Sequence, residues 1–470
     1  MEADRAQPAG HAHRAAISLV ALCLTTALGV GVGSYLALIL QARNLANSRF
    51  HQERAREFAQ VGLEEALWAL NQNNWTSAGP AGSTAWIIAG SSRTVTLNYG
   101  AIGHGASAQT VLTVANYAST GPTWPTVTAE AILTLSDGRA VRKTLGATTG
   151  PAPLFGNAIA SAQAGVSFTG GGLVDSWNSD PDNNPATAAV PYSFTAGNPA
   201  NYAAVVAGRD DGAQGVALTQ ATVRGYVATF GRPVAYSVSG SPPGRVQGPA
   251  TPSGVEVDPD RVGRSAFVPV APVFAVTLPP TSGPGYGGLI SNILALVAAL
   301  LGAPPNVEVY QTSGDLTILG VPLLSPSLTI SRPLKLIVNG NLTLSGAGKI
   351  TVTTTGSLQL FVTGDCTIGG AGIDNQNTDP RKLAIFCTSP STTNSLQYTT
   401  GSDFNGVIYC ENKPIDIRQN ATFYGALLSR GPVSFSTGAT NPVFHYDTAL
   451  RTTRFDHITT PYVIARLTEL

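Results

Sequence analysis

Residues 15–40 carry no charged side chain. As an α-helix this run is about 39 Å long at ~1.5 Å per residue. A hydrocarbon core of ~30 Å needs about 20 such residues. A cleaved signal peptide is the alternative, but its apolar region spans only ~7–15 residues and ends at a small-x-small site. Here Gln41, Ala42, Arg43 and Asn44 continue as helix-compatible sequence. The reading is a retained transmembrane helix at 15–40, preceded by a short tail at 1–14. Arg5 and Arg14 lie before the span with Glu2 and Asp4, whereas Arg43, Arg49, Arg54 and Arg56 follow it. Counted alone, these charges place the N-terminus outside.

The helical pattern does not end at the membrane. Ala55, Ala59, Gly62, Ala66 and Leu70 recur at helical spacing beside Phe58, Leu63 and Leu67, while Glu53, Arg54, Arg56, Glu57 and Glu64 mark a polar face. An amphipathic helix is therefore expected over 41–73, broken by the polar residues 71–74. Its apolar face needs a partner. Strand-like runs at 85–88, 94–99, 110–114, 126–135 and 141–148 supply one, giving a small β-sheet domain over 74–150 packed on the helix.

The short tail ending in His13, Arg14, Ala15 and Ala16, the span behind it and the closing stretch 59–67 resemble the N-terminal region of PilX-like minor pilins of type IV pilus assembly and related pseudopilins. The resemblance covers about the first 75 residues. It implies a cytoplasmic N-terminus, an inner-membrane anchor with the bulk of the chain extracytoplasmic, and pilus or pseudopilus assembly proteins as partners. The sequence departs from the usual prepilin peptidase site: only Gly10 precedes the span, and no Glu lies between Glu2 and Glu53.

The second half repeats. Residues 336–346 and 360–370 share an apolar run, a polar residue, Gly, a polar residue and an alternating strand, at an offset of 24. Related units occur at 165–170, 314–320 and 431–438, with apolar counterparts at 383–387, 406–410 and 425–429. One such unit cannot bury its apolar side alone, and stacked parallel rungs close a common core. The expectation is a β-solenoid or short right-handed parallel β-helix over 151–470, with a loop-rich insertion at about 185–310. An antiparallel sandwich uses the same alternation and stays open. Aligning 336–339, 360–363, 384–387, 407–410 and 426–429 puts Cys387 and Cys410 in one column, as a disulfide or as stacked thiols. Cys366, on the other strand of its unit, is expected to stand apart. The closing residues Phe444, His445, Tyr446 and Asp447, after the repeat, resemble an uncharacterised β-helical domain found downstream of PilX-like N-termini in bacterial envelope proteins. That resemblance covers roughly 155–470 and implies no established catalytic role.

The fold class is thus mainly β, with an N-terminal transmembrane and amphipathic helix. Charged residues are only 11% and net charge is zero, without a Lys/Arg-rich run, so no nucleic-acid partner is expected. The four cysteines show no zinc spacing. The apolar run 289–301 is short for a span and reads as a buried or surface-docked helix. Asp175, Asp180 and Asp182 offer oxygen ligands for Ca²⁺ but without EF-hand spacing, so a solvated loop is the plainer reading. Three functions compete: a non-enzymatic structural or assembly protein of the envelope, an adhesin binding surface glycans, and a β-helical glycan-cleaving enzyme. The last needs two carboxylates about 5–10 Å apart; Asp374, Asp379 and Asp447, with His445, are the candidates, and the repeats place no outward acids in register. The expectation is therefore no enzyme, with no catalytic, cofactor-binding or metal residue assigned and no cofactor.

Overall fold

The computed structural model of the protein describes residues 9–76, 82–103, 105–117, 124–184, 187–209, 215–228, 238–263, 275–302, 306–320, 327–393, 396–436, 438–458 and 460–470. Residues 1–8 of the expected tail, and 231–237 and 264–274 of the expected loops, lie outside these. The chain forms two compact units: residues 1–151 with 461–470, and residues 152–460.

The first unit is built on one continuous helix, α1, Ala9–Gln72. It already includes residues 9–14, and the apolar and amphipathic segments are one rod without a break. Asn73 adopts φ 47°, a left-handed conformation that asparagine tolerates, and the Asn74 N–H bonds back to the Ala69 carbonyl at 3.0 Å, which ends the helix. Leu19 to Leu40 stay exposed, as a lipid-facing surface requires. Ala55, Ala59, Leu63, Ala66 and Leu70 are buried against an antiparallel sheet of strands Ile87–Ala89, Ser92–Gly103, Ala106–Ala115, Thr126–Thr134 and Ala140–Pro151. Alternate residues Leu112, Val114, Val127, Ala129, Leu145 and Ala147 face the helix. The sheet's last strand is Tyr462–Glu469, paired with Ala140–Pro151. This corrects the assignment of 461–470 to the solenoid. Its burial alternates too little to mark a strand, and its partner lies over 300 residues away in sequence.

The second unit winds as a parallel solenoid, so the sandwich is excluded. Successive strands Val309–Thr312, Leu316–Gly320 and Ser327–Ile330 make one turn; Pro333–Val338, Leu342–Gly346 and Lys349–Val352 make the next, each paired in parallel with its counterpart. Higher up, the third strand of one turn and the first of the next merge into single bent strands, Phe404–Cys410 and Thr422–Ser429. Gly406 and Gly425 lie side by side at that bend, and a Cβ on Gly425 would sit 1.8 Å from the Gly406 carbonyl oxygen. Leu336 pairs with Leu360 at the offset of 24. The next step corrects the expected alignment by one residue: Cys387 pairs with Val362, not Thr363. Leu383–Cys387 is buried on both sides, because Phe455 and His457 pack on the outer rings Phe386 and Phe361, so no period of two marks its register.

The stacking order differs from the chain order. Thr422–Ser429 is followed in space by Ile159–Ser161, and Val433–Phe435 by Val166–Phe168. Val443–Asp447 is followed by Gly172–Trp177. Beyond these lie Ala204–Gly208, Val216–Leu218 and Ala221–Ala228. The chain therefore lays down the far turns first, then starts again at Tyr286–Ile290 and climbs until its last turn meets its first. Much of the supposed insertion at 185–310 is these turns; short all-buried strands such as Ala204–Gly208 lack the alternation that marks the others. A second helix, α2, Ile293–Gly302, buries Leu296 over the starting end and leaves Leu294 and Leu301 exposed, so only part of 289–301 is helical.

Cys387 and Cys410 pair in register and neither is bonded. Cys366 joins them, against expectation: it is buried in the same core, beside Cys387. Strands from different sides of a turn send alternate residues into the same interior, so lying on another strand does not separate them. Burial is the largest influence on Cys410 and pushes its thiol up.

The helix lies tight on the sheet at Gly62, where a Cβ would lie 2.7 Å from both Leu112 Cδ2 and Thr110 Cγ2. Gly62→Leu should destabilise the first unit by roughly 1–3 kcal/mol through overpacking. Thermal unfolding of the variant, with Val61→Leu on the exposed face as control, checks this; an unchanged midpoint would contradict the docking.

Candidate functional site at the solenoid seam

The seam between last and first turns gathers a connected polar network. Tyr424, His445 and Asp175 lie in register on three neighbouring strands, with Asn405 before them. His445 Nδ1 lies 2.5 Å from Asp175 Oδ1. The Tyr192 hydroxyl donates to Asp175 Oδ2 at 2.7 Å, and Arg224 approaches the same oxygen at 3.7 Å. Tyr192 stacks on the His445 ring at 3.5 Å between centroids. Burial, then the Asp175 carboxylate, pushes the Tyr192 phenol up.

The residues after Gly172–Trp177 fold over this column. Asn201 fastens them through its Nδ2, which donates to the carbonyls of Ser176 at 2.7 Å and Ser193 at 2.9 Å. Asp447 Oδ1 accepts from the Ser179 N–H, and its Oδ2 from the Ser179 hydroxyl at 2.5 Å. Asp447 also accepts from Ala449 N at 3.0 Å, capping the turn Thr448–Arg451. Burial pushes its carboxyl up, against these hydrogen bonds. The Tyr446 hydroxyl donates to the Phe155 carbonyl at 2.7 Å, and Phe444 stacks on Phe423 of the preceding turn. All four residues of the closing motif thus bind across a strand boundary.

The other sequence candidates are dispersed. Asp379 caps the turn Pro380–Lys382 and pairs with Arg381, which also holds Asp180 at 2.7 Å. That hydrogen bond from Arg381 keeps Asp180 below the usual carboxylate range. Asp374 pairs with Lys349 at 2.8 Å. Asp374, Asp379 and Asp447 therefore face different surroundings. The stretch read as a solvated loop is instead tied down: Asp175 and Asp180 are buried, and protein donors occupy their oxygens. No group of three His, Cys, Asp or Glu side chains suited to a metal occurs among the described residues.

Where the fold-over ends, a cleft of about 340 Å³ opens beside the seam. Trp177, Tyr192 and Tyr424 form one wall, and residues 374–378 with Asp403 and Asn405 the other. Sequence reasoning missed the aromatic wall, since its three residues are scattered along the chain. The dense polar run 374–379 was the available signal.

Residues 309–453 match a domain of unknown function, DUF7305. No curated protein matches the chain. Among solved structures, the competence-associated pilin ComZ from Thermus thermophilus aligns at 11% identity over 89% of this chain and 97% of that one, with a TM-score of 0.22.

Asp447→Ala would leave the Ser179 and Ala449 donors unpaired in a buried site, a loss of roughly 2–4 kcal/mol. Urea unfolding followed by circular dichroism should show a lower midpoint, with His445→Ala lowered less. Unchanged midpoints in both would contradict the seam network.

Proposed function

We propose that the protein is a non-enzymatic, single-pass envelope protein of the inner membrane, serving as a minor pilin-like or assembly component of a type IV pilus system. The observation that carries this reading is α1. Its N-terminal part is apolar and uncovered, with an 18-residue stretch fully outside the protein interior, while the same rod continues into a sheet-docked stem. Such a rod suits an element that is anchored in lipid at one end and carries a folded domain at the other. The antiparallel sheet on its stem, the solenoid and the resemblance of the first 75 residues to PilX-like proteins support the same reading. So does the use of the closing motif: His445 and Asp447 are occupied in holding strands together, a structural task.

Alkaline phosphatase fused after Asn73 in a bacterial host should be active, since that enzyme matures only outside the cytoplasm, and the fusion should sediment with the inner membrane. An inactive fusion would overturn the orientation that the arginines after the span argue against. In the native host, in-cell cross-linking should capture pilus-assembly proteins; their absence from the captured set would remove the pilus assignment.

A further inference from the structure

The cleft beside the seam has a composition that the structural role does not use. Its aromatic wall is a corner: Tyr192 and Tyr424, both partly exposed, meet at 65° with centroids 6.0 Å apart, and the buried Trp177 backs both edge-on. The wall is held rigidly. Trp177 Nε1 donates to the Val190 carbonyl at 3.2 Å, and Tyr192 is clamped between Asp175 and the His445 ring. Rigid aromatic surface is bound at low entropic cost. The opposite wall is a ladder of amides. Asn375 Nδ2 donates to the Asn405 carbonyl at 2.9 Å, Asn405 Nδ2 to the Asn377 carbonyl at 2.6 Å, and Asn377 Nδ2 to Asn375 Oδ1 at 2.9 Å. Asn405 Oδ1, sheltered within this wall, has no partner. At the rim stand Gln376 and Asp403, both exposed. Asp403 Oδ1 accepts from the Thr422 N–H at 3.2 Å.

We infer that this cleft binds a neutral saccharide. A sugar ring presents an apolar C–H face, which suits the aromatic corner, and a rim of hydroxyls, each both donor and acceptor. Amides and carboxylates match those hydroxyls. Asp403 gives the rim acidic character, since Asp374 is paired with Lys349; this repels anionic polymers and admits uncharged ones. A peptide added as an extra strand is disfavoured, because the strands beneath the cleft already have ladder partners on both sides. A lone metal ion is disfavoured by the aromatic wall and by the lack of a clustered ligand set among the described residues. The volume lies in the lower part of the ~300–1,000 Å³ range of small-ligand pockets, enough for a short segment of a chain. The inference does not depend on the pilus assignment; it concerns only the solenoid.

The test is calorimetric titration of the full-length protein in a zwitterionic detergent without a sugar headgroup. The probes are cellotetraose, N-acetylchitotetraose and mannotetraose, with trigalacturonate as the anionic comparison. At least one neutral probe should bind, and more tightly than trigalacturonate. Asp403→Asn and Gln376→Ala, both exposed and so compatible with an unchanged melting midpoint, should each weaken that binding, the first by about tenfold through loss of a charge-assisted hydrogen bond. Absence of heat with all three neutral probes at millimolar concentration would overturn the inference. So would binding that both variants leave intact, or tighter binding of trigalacturonate.

Discussion

The solenoid depends on the parallel backbone ladders that join its last turn to its first. Every other turn stacks on a neighbour close in sequence, but Val443–Asp447 meets Gly172–Trp177 and Val433–Phe435 meets Val166–Phe168. Side-chain bonds across this junction, such as those from Thr169 to the Phe435 carbonyl and from Tyr446 to the Phe155 carbonyl, link residues 266 and 291 apart in sequence. Without it, two stacks would each expose an open end with unpaired backbone groups and apolar interior, both costly in water. Such long-range closure must await most of the chain, so the early turns gain their support only after the last turn has formed.

This explains why the chain's sharpest local signature lies where it does. Phe444, His445, Tyr446 and Asp447 face alternately into and out of the stack, and each finds a partner suited to its chemistry. The inward residues Phe444 and Tyr446 fill the core and satisfy the Phe155 carbonyl. The outward His445 and Asp447 catch Asp175 and Ser179. By fixing Asp175, His445 also fixes Tyr192, so the interaction that closes the fold also builds one wall of the cleft. Stability and the proposed recognition surface share one set of bonds.

Some of this was legible in the sequence because the physics is local. An uncharged run of lipid-spanning length, a helical stripe at Ala55, Ala59, Gly62 and Ala66, and an offset of 24 between glycine-marked units each announce their element. The register at Cys387 was not legible, since burial on both faces erases the alternation that would fix it. Nor was the stacking order: parallel turns of similar composition fit one another in any sequence, and only long-range pairing selects among them. Cys366 was misjudged because a strand-by-strand reading overlooks that all sides of a turn share one interior. The cleft was invisible for a related reason. Trp177, Tyr192 and Tyr424 become neighbours only through the seam, and no spacing in the chain brings them together.

The junction can be tested directly by cross-linking its two turns. Ser167 and Ser434 are in register across it, with side chains partly exposed. Adjacent strands stand ~4.8 Å apart, inside the ~4.4–6.8 Å Cα range of a disulfide. In a Cys23→Ser background, the pair Ser167→Cys and Ser434→Cys should form an oxidative cross-link, detected by mass spectrometry of the digested protein. Ala217→Cys with Ser434→Cys, separated by the intervening strand Val166–Phe168, should not. A cross-link between 167 and 434 but not between 217 and 434 is the result this stacking order requires. Failure of the first pair to react, or equal reaction of both, would contradict it.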